Sequence, residues 1–509
     1  MKLPSTTKVW LALFGVVAAF GGESRARAAE LSPDLMAPHV AHFNAMEDEN
    51  VTNVISNASS LAWLQKEIPV FACPDQEVEE MYYFRWWSFR KHLVQTTNGF
   101  AFTEFLTKAT PVSSALGHQL AEGRWLHDQG LMDDYVHYWF QDAAHRQQMH
   151  RYSSWVADAL YQRCLVTGDT NRLVAMLGDL TEDYRQWEQE HLTTNGLFWQ
   201  FDVRDAMEES ISGSRVNKNL RPSINSYMYG NARAIANVAR LAGNKAVARE
   251  FSRKADRLKE LTVENLWNTS AGFFEVRRDD GKFSEAREEI GFIPWMFELP
   301  GARKKYTSAW RQLTDPAGFA APFGITTAER RHPQFRTHGF GHCEWDGAVW
   351  PFATSQTLTA LANVLDDYDT SVVTQQDYWK VFLTYVRSQH AAGKPYIGEY
   401  LDETTGQWIN GVNGRSRYYN HSTFADLVMT GVIGLRPRLD NVVQIQPLLP
   451  PGTWSWFGVD GVNYHGHRLT ILWDADGSHY GRGRGLAILA DGKEIARGAK
   501  LEKLSGKLP

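Results

Sequence analysis

Cysteine is scarce in this chain. Only Cys73, Cys164 and Cys343 occur in 509 residues. Their wide spacing builds neither a metal motif nor a complete disulfide framework. At most one bridge is available, and buried free thiols are the simpler state. No HExxH or CxxC spacing is present, so the close pairs His338/His342 and His465/His467 read as structural or hydrogen-bonding groups. No metal and no cofactor are expected. Excess positive charge is lacking too. Lys and Arg total 53 against 58 Asp and Glu, a formal net charge of −5, so nucleic acid and anionic membranes are not expected partners. A disordered composition is excluded by 43% hydrophobic and 22% charged residues. No short fixed-period repeat appears, which disfavours an open solenoid.

The apolar run "VWLALFGVVAAFGG" follows Lys2 and Lys8 and precedes a small-x-small site at Ala26-Arg27-Ala28. That pattern is a secretory signal peptide, too short to span a membrane. No cysteine stands just after it, so a lipid anchor is not expected. Residues 1–28 are read as the signal peptide, and the protein as secreted or periplasmic, without membrane insertion.

Aromatic residues, by contrast, are abundant: 19 Trp, 19 Tyr and 26 Phe. Many must be core. A cleft lined with flat rings would suit sugars or other neutral ligands. Residues 29–75 form a mixed leader. From about residue 76 to 435 the chain reads as successive amphipathic helices, including "DQEVEEMYYFRWWSFRKHLVQ", "GLMDDYVHYWFQDAAHRQQM" and "SINSYMYGNARAIANVARLAG". Helices in unbroken succession imply packed hairpins, and their number suits a mainly α fold, an (α/α)6 toroid. After about 436, short alternating runs cut by Gly and Asp-Gly predict a small β-sandwich-like domain over 436–509.

Four stretches combine aromatics, glycine and carboxylates, as loops at the mouth of a toroid would. They cover residues 82–105, 195–214, 338–352 and 393–414. Glycosidic cleavage needs two carboxyls: one protonated to serve the leaving oxygen, one ionised to activate water or attack. An apolar surround raises a carboxyl's pKa and suits the acid. Glu208 has such a surround, and Glu399, between Gly398 and Tyr400, is the best lone carboxylate of the fourth stretch. The alternative for Glu208 and Glu209 is charge in the first turn of a helix.

The four stretches, taken in order, resemble the inverting six-hairpin glycosidases, namely trehalases and the family 63 type that includes processing α-glucosidases and mannosylglycerate hydrolases. "RDAMEES" is similar to their acid segment "ESGxDxS", with Glu208 in place of the usual Asp and Arg204 where a Glu is usual. "GEYLDETTG" is similar to "WEYYNPxTG", which puts Glu399 at the base, and "EWDGAVWPF" to the sugar-binding "YWRGPVWP", with Asp346 replacing Arg. A resemblance to glycoside hydrolase family 142, associated with β-L-arabinofuranosides, adds a substrate expectation. The resemblance implies an exo-acting glycoside hydrolase working by inversion on a terminal sugar, a β-L-arabinofuranoside or an α-glucosidase- or mannosylglycerate-hydrolase-like substrate. It implies Glu208 as acid and Glu399 as base. Asp205, Glu209, Trp345, Asp346, Trp350, Trp86, Trp87, Trp199, Tyr400 and Arg85 are candidates for substrate contacts. The alternatives are a polysaccharide lyase on the same toroid, a transglycosylase or phosphorylase, and a non-catalytic glycan-binding protein. The expected partner is carbohydrate; oligomeric state is left open.

Overall fold

The computed structural model describes residues 31–302, 304–412 and 414–509; the expected signal peptide lies outside them. Eleven described helices have eight or more residues: α1 (Met36–Ala45), α2 (Asn57–Glu67), α3 (Gln76–Phe89), α4 (Leu116–Gly123), α5 (Gly130–Phe140), α6 (Val156–Thr167), α7 (Leu177–His191), α8 (Pro222–Leu241), α9 (Lys245–Leu266), α10 (Pro351–Asp367) and α11 (Gln375–Ser388). Their starts follow capping chemistry. The Asp75 carboxylate accepts from the Glu77 and Val78 amides ahead of α3. Thr374 and Asp377 form a capping box at α11, and Pro222 and Pro351 occupy the first position of α8 and α10.

The run expected as one helix over 130–149 is two. Asp142 accepts from the His145 amide and starts a separate helix, Ala143–Met149; a short acid that captures its own backbone N–H interrupts the ladder.

Helical hairpins pack side by side around an axis. α4 packs on α6, α6 on α8, and α8 pairs with α9; the short helix Ile293–Met296 joins α8 to α10, α10 pairs with α11, α11 packs on α3, and the turn Ala425–Leu427 touches both α3 and α4, which closes the ring. This is the mainly α toroid, and its core is continuous and aromatic-rich, with Trp125, Trp139, Trp295 and Trp310 fully buried. Among the described residues, no helix is long and apolar enough to cross a membrane.

The C-terminal region is strand-rich. β1 (Val70–Ala72), ahead of α3, forms the edge of an antiparallel sheet whose other strands are β5 (Trp456–Tyr464), β6 (His467–Asp474), β7 (Gly485–Ala490) and β8 (Lys493–Gly498). The leader thus supplies a strand to the C-terminal sheet. β2 (Leu93–Thr96) and β3 (Gly99–Phe102) make a hairpin within the toroid, and β4 (Val442–Ile445) pairs with β9 (Leu504–Lys507). Along β7, Leu486, Ile488 and Ala490 join the main core, whereas Ala487 and Leu489 join a separate cluster with Leu472 and Tyr480. The period of two puts alternate residues on opposite faces.

Candidate active site

At one mouth of the toroid, five segments line a cavity of about 480 Å³. They are the chain after β3, the segment before α6, the loop after α7, the chain running into α10, and the loops after α11. The cavity lining includes three carboxyls, Glu104, Glu208 and Glu399, together with Trp350, Tyr419 and His421.

The loop carrying Glu208 is held by its neighbours. The Asp205 amide donates to the carbonyls of Asp202 (2.9 Å) and Phe201 (3.0 Å), and the Met207 amide to that of Asp202 (3.0 Å). Ala206 and Glu209 sit at left-handed φ values of 57° and 63°. Backbone in that region is strained for side-chain-bearing residues and collects at functional sites. The two reversals give consecutive acids different surroundings. Asp205 turns inward, where Arg221 Nε donates to it at 2.8 Å and Ser223 adds a hydroxyl; the Arg221 and Asp205 side chains have no exposed surface. Glu208 lines the cavity. Glu209 pairs with Arg215 at 2.6 Å on the loop's outer side. Asp205 and Glu209, expected to contact substrate, therefore do not line the cavity: one anchors the loop and the other is an outer ion pair.

Burial pushes Glu208 up to about 7, and the negative charges of Glu399 and Asp202 add to the shift. A carboxyl so placed carries a proton near neutral pH.

Glu399 is held by hydrogen-bond donors instead. Ser416 Oγ and Asn410 Nδ2 donate to its Oε2 at 2.8 and 2.5 Å, and Arg415 Nη2 lies 3.3 Å from Oε1. These donors orient the carboxylate toward the cavity wall it lines. The strand-like exchange between Val349 and Leu401, with both amide–carbonyl distances 3.0 Å, fixes this loop against the one bearing Trp350.

Trp350 lies between two rings. Trp345 stacks on it at 4.4 Å and Tyr400 at 4.5 Å with planes 8° apart. Of the three, Trp350 lines the cavity; Trp345 and Tyr400 support it. The Tyr400 hydroxyl also accepts from the Cys343 amide at 3.1 Å. Just before Trp350, Gly347 has φ of 153°, and a Cβ there would lie 2.5 Å from the Phe335 ring, so the turn requires glycine.

The remaining expected contacts are structural. Trp86 and Trp87 are buried on α3; Phe43 packs against Trp87, and Arg90 and Lys91 lie over its ring. Trp199 packs between His191 and Phe201, outside the cavity. Asp346 is fully buried and accepts from the His338 amide at 3.0 Å. Arg85 is buried and donates to Gln389 Oε1 and to the Ser422 carbonyl at 2.8 and 2.7 Å. A Trp-rich helix spends its rings on core, and periodicity alone does not separate a core ring from a stacking one. Cys73, Cys164 and Cys343 are free thiols.

Glu104, Arg415, Tyr419 and His421 escaped the sequence reading as site residues. Glu104 lies inside a stretch noted for its aromatics. The others fall in "RSRYYNHS" (415–422), where cations, tyrosines and a histidine crowd together just past the fourth stretch.

Comparison with known proteins places the fold in a family. A family model described as the mannosylglycerate hydrolase MGH1-like glycoside hydrolase domain matches residues 108–422, and the C-terminal domain of glycosyl hydrolase family 65 matches residues 435–497. A solved structure named a sialidase is 48% identical with a TM-score of 0.92, covering 94% of this chain and 45% of that one. A family 63 mannosylglycerate hydrolase from Thermus thermophilus, 12% identical, has a TM-score of 0.52 over 69% of this chain and 99% of that one, a likeness of fold. An uncharacterized protein of Borreliella burgdorferi is 25% identical over 189 residues, 37% of this chain and 38% of that one. This chain thus spans less than half the length of the sialidase-named structure and of the Borreliella protein. With the family match extending over more than half of its length, the chain belongs to the MGH1-like glycoside hydrolases.

Proposed function

We propose that this glycoside hydrolase removes a terminal sugar by single displacement with inversion, Glu208 protonating the glycosidic oxygen and Glu399 activating water on the opposite face. One observation carries the reading: two carboxyls 191 positions apart line one cavity in different settings, Glu208 half-buried and raised to about 7, Glu399 buried and surrounded by donors. Such a split separates the acid and base roles. A cavity of about 480 Å³ at one mouth of the toroid suits a terminal ring, and so exo cleavage.

The mouth supports a charged leaving portion. Lys108, Arg151, Arg204 and Arg415 line it and are exposed, and among the described residues Lys108, Arg151 and Arg204 form no ion pair. An aglycone bearing a carboxylate, as glycerate does in mannosylglycerate, fits such a rim; an arabinofuranoside linked to an acidic sugar fits it equally. The lyase alternative needs a readily ionised base, and burial drives the Tyr419 hydroxyl well above its ordinary range. Export by the N-terminal signal completes the reading, with a mature terminus at Ala29 as the outcome to look for by mass spectrometry of the secreted protein.

Glu208→Gln and Glu399→Gln should each lower kcat/KM by about a thousandfold or more on the best substrate of an aryl-glycoside and acidic-oligosaccharide panel, with unchanged circular dichroism and melting. Either variant retaining most of its turnover removes that residue from its role.

A further inference from the structure

Beneath the cleavage point lie two groups that the acid–base pair leaves unused. His421 is 2% exposed and lines the cavity, yet neither ring nitrogen has a hydrogen-bond partner among the described residues. Its surroundings are rings: Tyr419 at 4.1 Å, edge to face, with Phe352 at 5.7 Å. Two unpartnered nitrogens on a buried histidine are costly unless a ligand meets them. Glu104 is 4% exposed, lines the same cavity, and receives a hydrogen bond at Oε1 from Ser114 Oγ at 3.0 Å.

The two are laced together through the backbone. The Asn420 amide donates to the Glu104 carbonyl at 3.0 Å, and Asn420 Nδ2 donates to the Thr103 carbonyl at 3.1 Å. Gln119 Nε2 ties the Asn420 carbonyl at 2.9 Å, and Arg85 holds Ser422 on the other side of His421. Neither side chain can drift far from the other.

We propose that Glu104 and His421 form the sugar-recognition floor of the cleavage subsite, each meeting a hydroxyl of the terminal sugar; this rests on the glycosidase reading of the cavity. A neutral imidazole offers one donor and one acceptor, and a protonated carboxyl offers an O–H beside an acceptor. Hydroxyls, which both give and take, match that pair. An anionic group on the floor would face Glu208 and Glu399, so charge is left to the cationic rim. The electrostatics agree. Burial pushes Glu104 up to about 8, with Ser114 opposing and Glu399 and Glu208 adding. Burial, helped by His118 and Arg85, holds His421 well below its ordinary value. Both groups are then neutral at pH 7.

The test is sugar binding by the full chain, followed by saturation-transfer NMR with free D-mannose, D-glucose and L-arabinose as probes. We expect at least one sugar to bind the wild type. His421→Phe, which keeps the ring packing, and Glu104→Leu should weaken it about tenfold or more, while Glu104→Gln, which keeps a neutral donor, recovers most of the loss. Wild-type binding should fall above pH 8, and Glu104→Gln binding should not. Unchanged binding in the Leu and Phe variants, or no binding of any probe by the wild type, overturns the floor. If His421→Phe melts early, the Leu–Gln contrast at position 104 decides alone. Because no turnover is involved, the result is independent of the Glu208 and Glu399 variants: loss of catalysis there with intact probe binding leaves the floor standing, and retained catalysis there fails the acid–base reading only.

Discussion

Arg221 decides what the acids at 205–209 become. Its guanidinium is buried without exposed surface and takes Asp205 as its partner, so that carboxylate is spent on holding the loop. Glu208, three residues on, is left to the cavity, and Glu209 to the Arg215 pair outside. The same chemistry at neighbouring positions thus acquires three roles from backbone direction and from the cation each acid meets. The energetic consequence is separable. Asp205→Ala strands a buried cation and should cost about 3–5 kcal/mol of stability, whereas Glu209→Gln, in a partly exposed pair, should change stability by about 0.5 kcal/mol or less. Urea unfolding of both variants measures the contrast, and equal small effects would show that the Asp205–Arg221 pair does not anchor the loop.

At the level of elements, helices hold and loops act. The helical succession from residue 76 was legible because apolar spacing and capping acids are local signals, and the β character after 436 because Gly and Asp-Gly turns punctuate alternating runs. Glu208 and Glu399, which the structure brings to one cavity, stood out in the sequence as carboxyls in aromatic loops, Glu208 within the cluster of acids at 205–209. What stayed hidden depends on long-range placement. The edge strand Val70–Ala72 finds its partner at 458–460, and nothing local announces that pairing. Asp142 ends a helix that periodicity alone would continue. Trp86 and Trp199 look in sequence like Trp350, yet only Trp350 reaches the cavity, sandwiched by Trp345 and Tyr400. His421 has no motif; it matters because the Asn420–Glu104 and Arg85–Ser422 contacts bring residues more than 300 positions apart to one floor.

The whole molecule carries an unusual load of buried ionisable groups, and this shapes its pH dependence. Burial raises Glu104 to about 8 and Glu122 and Glu208 to about 7, all above the range of the unfolded chain. Between the unfolded and folded values the native state holds more protons, so stability falls as pH rises through that window. His92, His118 and His421 are lowered by burial, to about 4, about 3 and well below the ordinary value. They bind fewer protons when folded, so their contribution is lost as pH falls below about 6.5. The two effects oppose one another between about pH 4.5 and 6.5; above it the carboxyls act, joined in the same direction by His150, whose burial is outweighed by Asp183 and Glu190, which raise it. Melting temperature should therefore decline from pH 6.5 to 8, and less steeply in Glu104→Gln; a flat or rising profile in both would mean these carboxyls are ionised in the folded state.

The central claim concerns how the two carboxyls proposed as acid and base share one cavity. Proton NMR of the first anomer released by the wild-type chain from its best substrate tests it most directly. Single displacement by water on Glu399 predicts a product of inverted configuration, appearing before mutarotation. Release of the retained anomer would contradict the account and require a covalent intermediate on one of the carboxyls.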